Sequence, residues 1–115
     1  MSLPEDSAER KQYPIVTGVL DYFPDAIAEV AHVSWLGSEK HNPGELLHWA
    51  RAKSMDQEDC IGRHTIERGG FEVVYDQDGN VIGRMRHSAS RAWRALAALQ
   101  LELEAEGAPM SRGSK

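Results

Sequence analysis

Glu29, Lys40, His41, Asn42, Trp49, Asp59, Arg63 and His64 form a dense polar set carried on otherwise apolar segments. A carboxylate beside apolar residues, as at Glu29 and Asp59, either pairs with a base or binds a cation. Mg²⁺ accepts oxygen ligands of this kind and keeps waters and substrate phosphates in the rest of its shell. Lys40, His41, Arg51, Lys53 and Arg63 are a basic set of the sort that neutralises phosphate oxygens a metal leaves bare. Trp49 offers a face on which a base can stack, and His64, next to Arg63, suits a phosphate contact or an oriented water. Each residue also has a plainer reading. Asp59 and Arg63 stand four apart, the spacing of an ordinary surface pair on a helix, and Glu29 reads equally as a solvated acid. The basic residues read as scattered charges in a chain with 13 Lys plus Arg, Trp49 as a core or interface side chain, and His64 as a satisfied structural histidine.

The five histidines, His32, His41, His48, His64 and His87, follow no zinc-binding spacing, and the single Cys60 supplies too few thiolates for a structural zinc site. No nucleophile elbow, P-loop or dinucleotide fingerprint occurs. Nothing around Cys60 marks it as a nucleophile, since its neighbour Asp59 does not favour a thiolate.

These side chains need elements to hold them. Residues 1–12 are charged, contain Pro4 and lack an apolar period, which predicts a flexible arm, and the run from Gly107 to Lys115 reads as a flexible tail. One folded domain is expected over 13–106. Pro14–Leu20 is apolar but broken by Gly18, and reads as a strand or an extended segment. A helix is expected from Pro24, with Asp25 in its first turn, to Gly37. Its apolar stripe is Phe23, Ile27, Val30 and Ala31, with Asp25, Glu29 and His32 on another face. Asn42-Pro43-Gly44 is turn chemistry, Glu45–Ala52 reads as a short helix, and a third helix is expected over roughly Gln57–Arg68, capped by Ser54 or Asp56. Gly69-Gly70 ends it. Phe71–Tyr75 and Val81–Gly83 then flank Asp78-Gly79, the signature of a β-hairpin. A last helix over Ser88–Glu104 puts Ala89, Ala92, Trp93, Leu96, Leu99 and Leu103 on one stripe. The expected fold is mainly α, a small helical bundle with one inserted β-hairpin.

A chain of 115 residues can bury one modest core. A net charge of −5 argues against a duplex nucleic-acid binder, whose phosphate contacts demand a basic face. A divalent cation would let an anionic small ligand bind all the same. No stretch reaches the ~20 apolar residues of a membrane span, and the polar start has no signal-peptide core. A soluble cytoplasmic protein is the expectation.

Two stretches carry a family resemblance. The run KQYPIVTGVLDYFPDAIAEVAHVSWLGSEKHNPGELLHWARAKSMDQEDCIGRH, followed after the hairpin by RHSASRAWRALAALQLELE, resembles the phage-type dATP/dGTP diphosphohydrolase N-terminal domain family, across nearly all of the folded unit. That family is similar in function to the MazG-like all-α pyrophosphohydrolases, which cleave a nucleoside triphosphate to monophosphate and pyrophosphate with Mg²⁺. The resemblance implies a dGTP- or dATP-cleaving enzyme of phage nucleotide metabolism, with Mn²⁺ as a substitute metal, acting in the host cytoplasm as a homo-oligomer whose site forms between chains. It places the family's acidic position on Glu29, its loop lysine on Lys40, its loop Asn and following Trp on Asn42 and Trp49, its Asp-x-x-x-Arg-His run on Asp59, Arg63 and His64, and its later histidine on His87. Glu29 and Asp59 are then the metal ligands, while Lys40 and Arg63 stabilise the leaving pyrophosphate. His41, Asn42, Trp49, Arg51, Lys53, His64 and His87 are the substrate-binding set.

The paired acidic motifs of MazG-like enzymes are absent, however. Glu29 is followed three residues on by His32, and Asp59 is preceded three residues back by Asp56. Glu39, Asp56 and Glu58 are the candidates for a further ligand. The hairpin is an insertion relative to shorter members. The competing expectation is a non-enzymatic helical module that binds a protein partner through its Ala/Leu-rich last helix, and an HD-type phosphohydrolase is disfavoured because no adjacent His-Asp pair occurs.

Overall fold

The computed structural model describes residues 3–115. Its elements run α1 (Ser7–Arg10), a π-helical turn (Val16–Leu20), α2 (Pro24–His41), a 3₁₀ turn (Arg51–Lys53), α3 (Gln57–Ile66), β1 (Phe71–Tyr75), β2 (Val81–Arg86) and α4 (His87–Ala105). The protein is mainly α with a single antiparallel hairpin, as its sequence periods require. Among the described residues no helix is long and apolar enough to cross a membrane.

Helix α4 is the centrepiece, packing along α3 and α2, while the hairpin closes over α2. Leu36 on α2 is fully buried and Val74 on β1 nearly so, and Cys60, Ala89 and Ala97 complete a thin core. Gly83 makes the fit of α2 against β2 possible. A Cβ there would sit 2.9 Å from Leu36 Cδ2, so only bare backbone admits the leucine. The strands pair Phe71 with Arg86 and Val74 with Gly83, with an irregularity between Val74 and Tyr75. The loop is tied by Asp76, whose Oδ1 accepts from the backbone N–H of Asp78 at 2.9 Å and of Asn80 at 2.8 Å, while Gly79 takes the positive φ of 84°.

Several local expectations give way. Helix α2 does not stop at Gly37 but continues to His41, because buried Leu36 and Ser38 anchor the turn that glycine would weaken. It ends at Asn42, before Pro43, with Lys40 and His41 at its negative end. Glu45–Ala52 is not helical. The Trp49 N–H donates to Gly113 O at 2.7 Å and the Trp49 carbonyl accepts from Lys115 N–H at 3.0 Å, so its backbone groups are spent on the C-terminal segment. The Arg51 N–H likewise donates to Lys115 O at 3.3 Å. Pro14–Leu20 is neither strand nor extended but a π-helical turn, and part of the expected N-terminal arm is α1, capped by Asp6, whose carboxylate accepts from Glu9 N–H. Met1 and Ser2 of that arm lie outside the described residues.

The apolar stripes also stay more open than their periods suggest. Phe23 and Ala31 on the first helical stripe are exposed, as are Ala92, Leu96, Leu99 and Leu103 on α4, and Trp35 lies stacked on His32 at the surface. A radius of gyration of 15.7 Å, against about 13 Å for a compact domain of this size, matches a chain with little interior to offer them.

Candidate functional site

The end of α2, the 3₁₀ turn, α3 and α4 enclose a cavity of about 300 Å³ whose wall includes Lys40, His41, Lys53, His64 and Arg94. Burial first, and then the positive charges of Lys40, Lys53 and Arg94, hold the His41 imidazole below its ordinary pKa. Lys40, Lys53 and Arg94 make no ion pair with a carboxylate among the described residues. Glu72 on β1 is the wall's acidic side chain. Arg94 is fixed in place: its guanidinium donates to Ser54 Oγ at 2.9 Å and to Gln57 Oε1 at 3.2 Å, leaving other donors of the fork for a ligand.

Aromatic residues form the far wall. Trp49 meets Trp93 edge to face, centroids 5.8 Å apart, and Trp93 Nε1–H donates to Ser34 Oγ at 2.7 Å, which locks its ring. Asn42 and His48 also line the cavity, His48 with Nδ1 2.9 Å from the Leu46 carbonyl.

Behind His64 stands a second histidine. His64 Nδ1 lies 2.9 Å from His87 Nδ1, and on the far side of His87 a Glu67 carboxylate oxygen is 3.5 Å from Nε2. The His87 side chain is only 11% exposed. Burial and the neighbouring His87 push the His64 pKa down, with Arg94 adding to this and Glu72 and Glu67 opposing it.

The structure thus gathers Lys40, His41, Asn42, Trp49, Lys53 and His64 around one hollow, with His87 as support. Arg51 is engaged elsewhere. It grips Glu104 through two 2.7 Å hydrogen bonds, donates to Ser111 Oγ and lies over the Trp49 ring at 4.3 Å. Arg63 faces outward and donates to Asp56 at 3.0 Å, so the i, i+4 partner Asp59 is not the one it takes. The Asp56 carboxyl is consequently held down to about 2, chiefly by Arg63. Asp59 is exposed and does not line the cavity, Glu29 is exposed with its nearest base Arg86 at 3.9 Å, and Glu39 is likewise absent from the wall.

Among the described residues no three His, Cys, Asp or Glu side chains stand together as a metal-binding group. Glu29, Glu39 and Asp59 are not gathered into one such group. Arg94 is the main contributor that sequence reasoning missed. It falls seven residues after His87, two helical turns on, and so shares that histidine's face with Ser90 between them.

Compared with family models, with curated proteins and with solved structures, the chain finds no match in any of the three.

Proposed function

We propose that the chain binds a deoxynucleoside triphosphate, dGTP or dATP, in this cavity and cleaves it to the monophosphate and pyrophosphate in phage nucleotide metabolism, in the host cytoplasm. The observation that carries the reading is the convergence of Lys40, Lys53 and Arg94 on one hollow, next to a tryptophan wall and with no ion pair to a carboxylate among the described residues. Triphosphate oxygens satisfy such donors, and a base satisfies the rings. The family resemblance of the surrounding sequence supplies the reaction class. Because the carboxylates are dispersed, Mg²⁺, or Mn²⁺ in its place, is proposed to enter as part of the triphosphate complex. A nucleotide panel with Mg²⁺, scored for pyrophosphate against phosphate or triphosphate, tests the proposal. Pyrophosphate from dGTP or dATP is the expected product, and its absence across the panel defeats the reading.

A second reading has its own observation. Leu96, Leu99 and Leu103 on α4 are exposed beside an apolar hollow of about 510 Å³, a surface suited to another protein or another copy of this chain. A pure binding module would carry that surface and release no pyrophosphate, whereas an oligomeric enzyme would do both.

A further inference from the structure

We propose that His64 is the general base of the proposed hydrolysis, acting through Nε2, and that His87 and Glu67 are positioning residues that fix its tautomer. The inference rests on the triphosphate reading of the cavity and deepens it.

A carboxylate oxygen 3.5 Å from His87 Nε2 favours a proton on that nitrogen, because a bare lone pair would face negative charge. In the neutral ring, His87 Nδ1 is then an acceptor. Only one proton fits between the two Nδ1 atoms at 2.9 Å, so His64 Nδ1–H must supply it. A neutral His64 with its proton on Nδ1 keeps a free lone pair on Nε2, the one ring nitrogen not used against His87. His64 lines the cavity, which makes Nε2 the nitrogen available to a water beside bound phosphate.

The charges around it agree with this state. Glu67 at the end of α3, Glu72 on β1, His87 and Arg94 on α4 act directly on His64, while Lys40, His41 and Lys53 share the cavity. Burial, with Arg94 adding to it, disfavours a charged His64, while the two glutamates oppose.

In the step itself the water oxygen bonds to the α-phosphorus while one of its protons passes to His64 Nε2. The bond from the α-phosphorus to the oxygen bridging the β-phosphorus breaks, and its electron pair leaves with pyrophosphate. His64 returns the proton to solvent.

Two measurements decide the matter. Long-range ¹H–¹⁵N spectra of the imidazoles in the full chain at pH 7 read the tautomer without any turnover. The expected result is a protonated Nδ1 and a bare Nε2 at His64, and the opposite assignment overturns the proposal. With dGTP as probe, His64→Gln is expected to lower the pyrophosphate rate about 10²- to 10⁴-fold with dGTP affinity changed less than about threefold. His87→Gln is expected to move the apparent pKa of the rate–pH profile at similar dGTP affinity, which loss of stability alone would not do. Wild-type chain that releases no pyrophosphate defeats the function reading and this step with it. Active wild type with an equally active His64→Gln variant defeats this proposal alone.

Discussion

Two hollows meet at the Trp49–Trp93 pair, and they are built for different company. The first, between α2, α3 and α4, is ringed by Lys40, Lys53 and Arg94, whereas the second, along α4, is lined by Leu47, Leu96, Leu99 and Leu103. Ser34, His48 and both tryptophans belong to each. One wall of side chains therefore separates a surface that attracts anions from one that sheds water. In a chain with so thin a core the difference is informative: cations with no ion pair among the described residues and leucines left without cover are both incomplete in isolation.

Removing charge from the first hollow should have the largest effect. Lys53→Ala combined with Arg94→Ala is expected to weaken dGTP binding by roughly 100-fold or more, since hydrogen bonds to charged groups contribute about 1.5–3 kcal/mol each. Isothermal titration at two salt concentrations checks it, and the wild type should lose more affinity to salt than the variant. An unchanged affinity would place the nucleotide elsewhere.

Next in size is Gly83→Ala, which drives a methyl into Leu36 Cδ2 and is expected to destabilise the fold by about 1–3 kcal/mol in denaturant titrations. Both hollows should suffer together, because α2 lines both. Leu99→Glu works on the second hollow only. It is expected to leave monomer stability within about 0.5 kcal/mol and dGTP affinity unchanged, while abolishing any self-association that sedimentation detects in the wild type. Sedimentation that is identical in variant and wild type would remove the leucine face from any oligomer.

The smallest effect concerns pH. The Glu104 carboxyl is held down to about 2, first by Arg51 and then by Gln100, and Asp56 is held near the same value by Arg63. Their folded-state pKa values lie below the ordinary carboxylate range of about 4, so the stability they contribute is fully present above that range and is lost as pH falls toward 2. Thermal melts between pH 5 and 2.5 should show a shallower decline for Glu104→Gln than for wild type.

The chain's elements were legible where one period dominates, as in α4 and the hairpin around Asp78-Gly79. They were obscure where distant residues decide. Gly37 looks like a helix end until Leu36 is seated on β2, and Glu45–Ala52 looks helical until Gly113 and Lys115 claim the backbone groups of Trp49. The site divides the same way. Lys40, His41 and Asn42 are sequence neighbours and stay together, but Arg94 comes from α4, and Arg63 takes Asp56 because the acid that starts α3 reaches its guanidinium where Asp59 does not. Spacing reports which side chains share a face, and burial decides which face matters.

The nearly perpendicular tryptophan wall has an optical consequence. Two indoles with centroids 5.8 Å apart and planes at 81° couple their electronic transitions, so the pair should give an exciton signature in circular dichroism and a shared emission distinct from that of solvent-facing Trp35. A nucleotide arriving from one side would quench that emission, and an apolar partner arriving from the other would shift it to the blue. One pair of chromophores, already in the protein, can tell the two kinds of visitor apart.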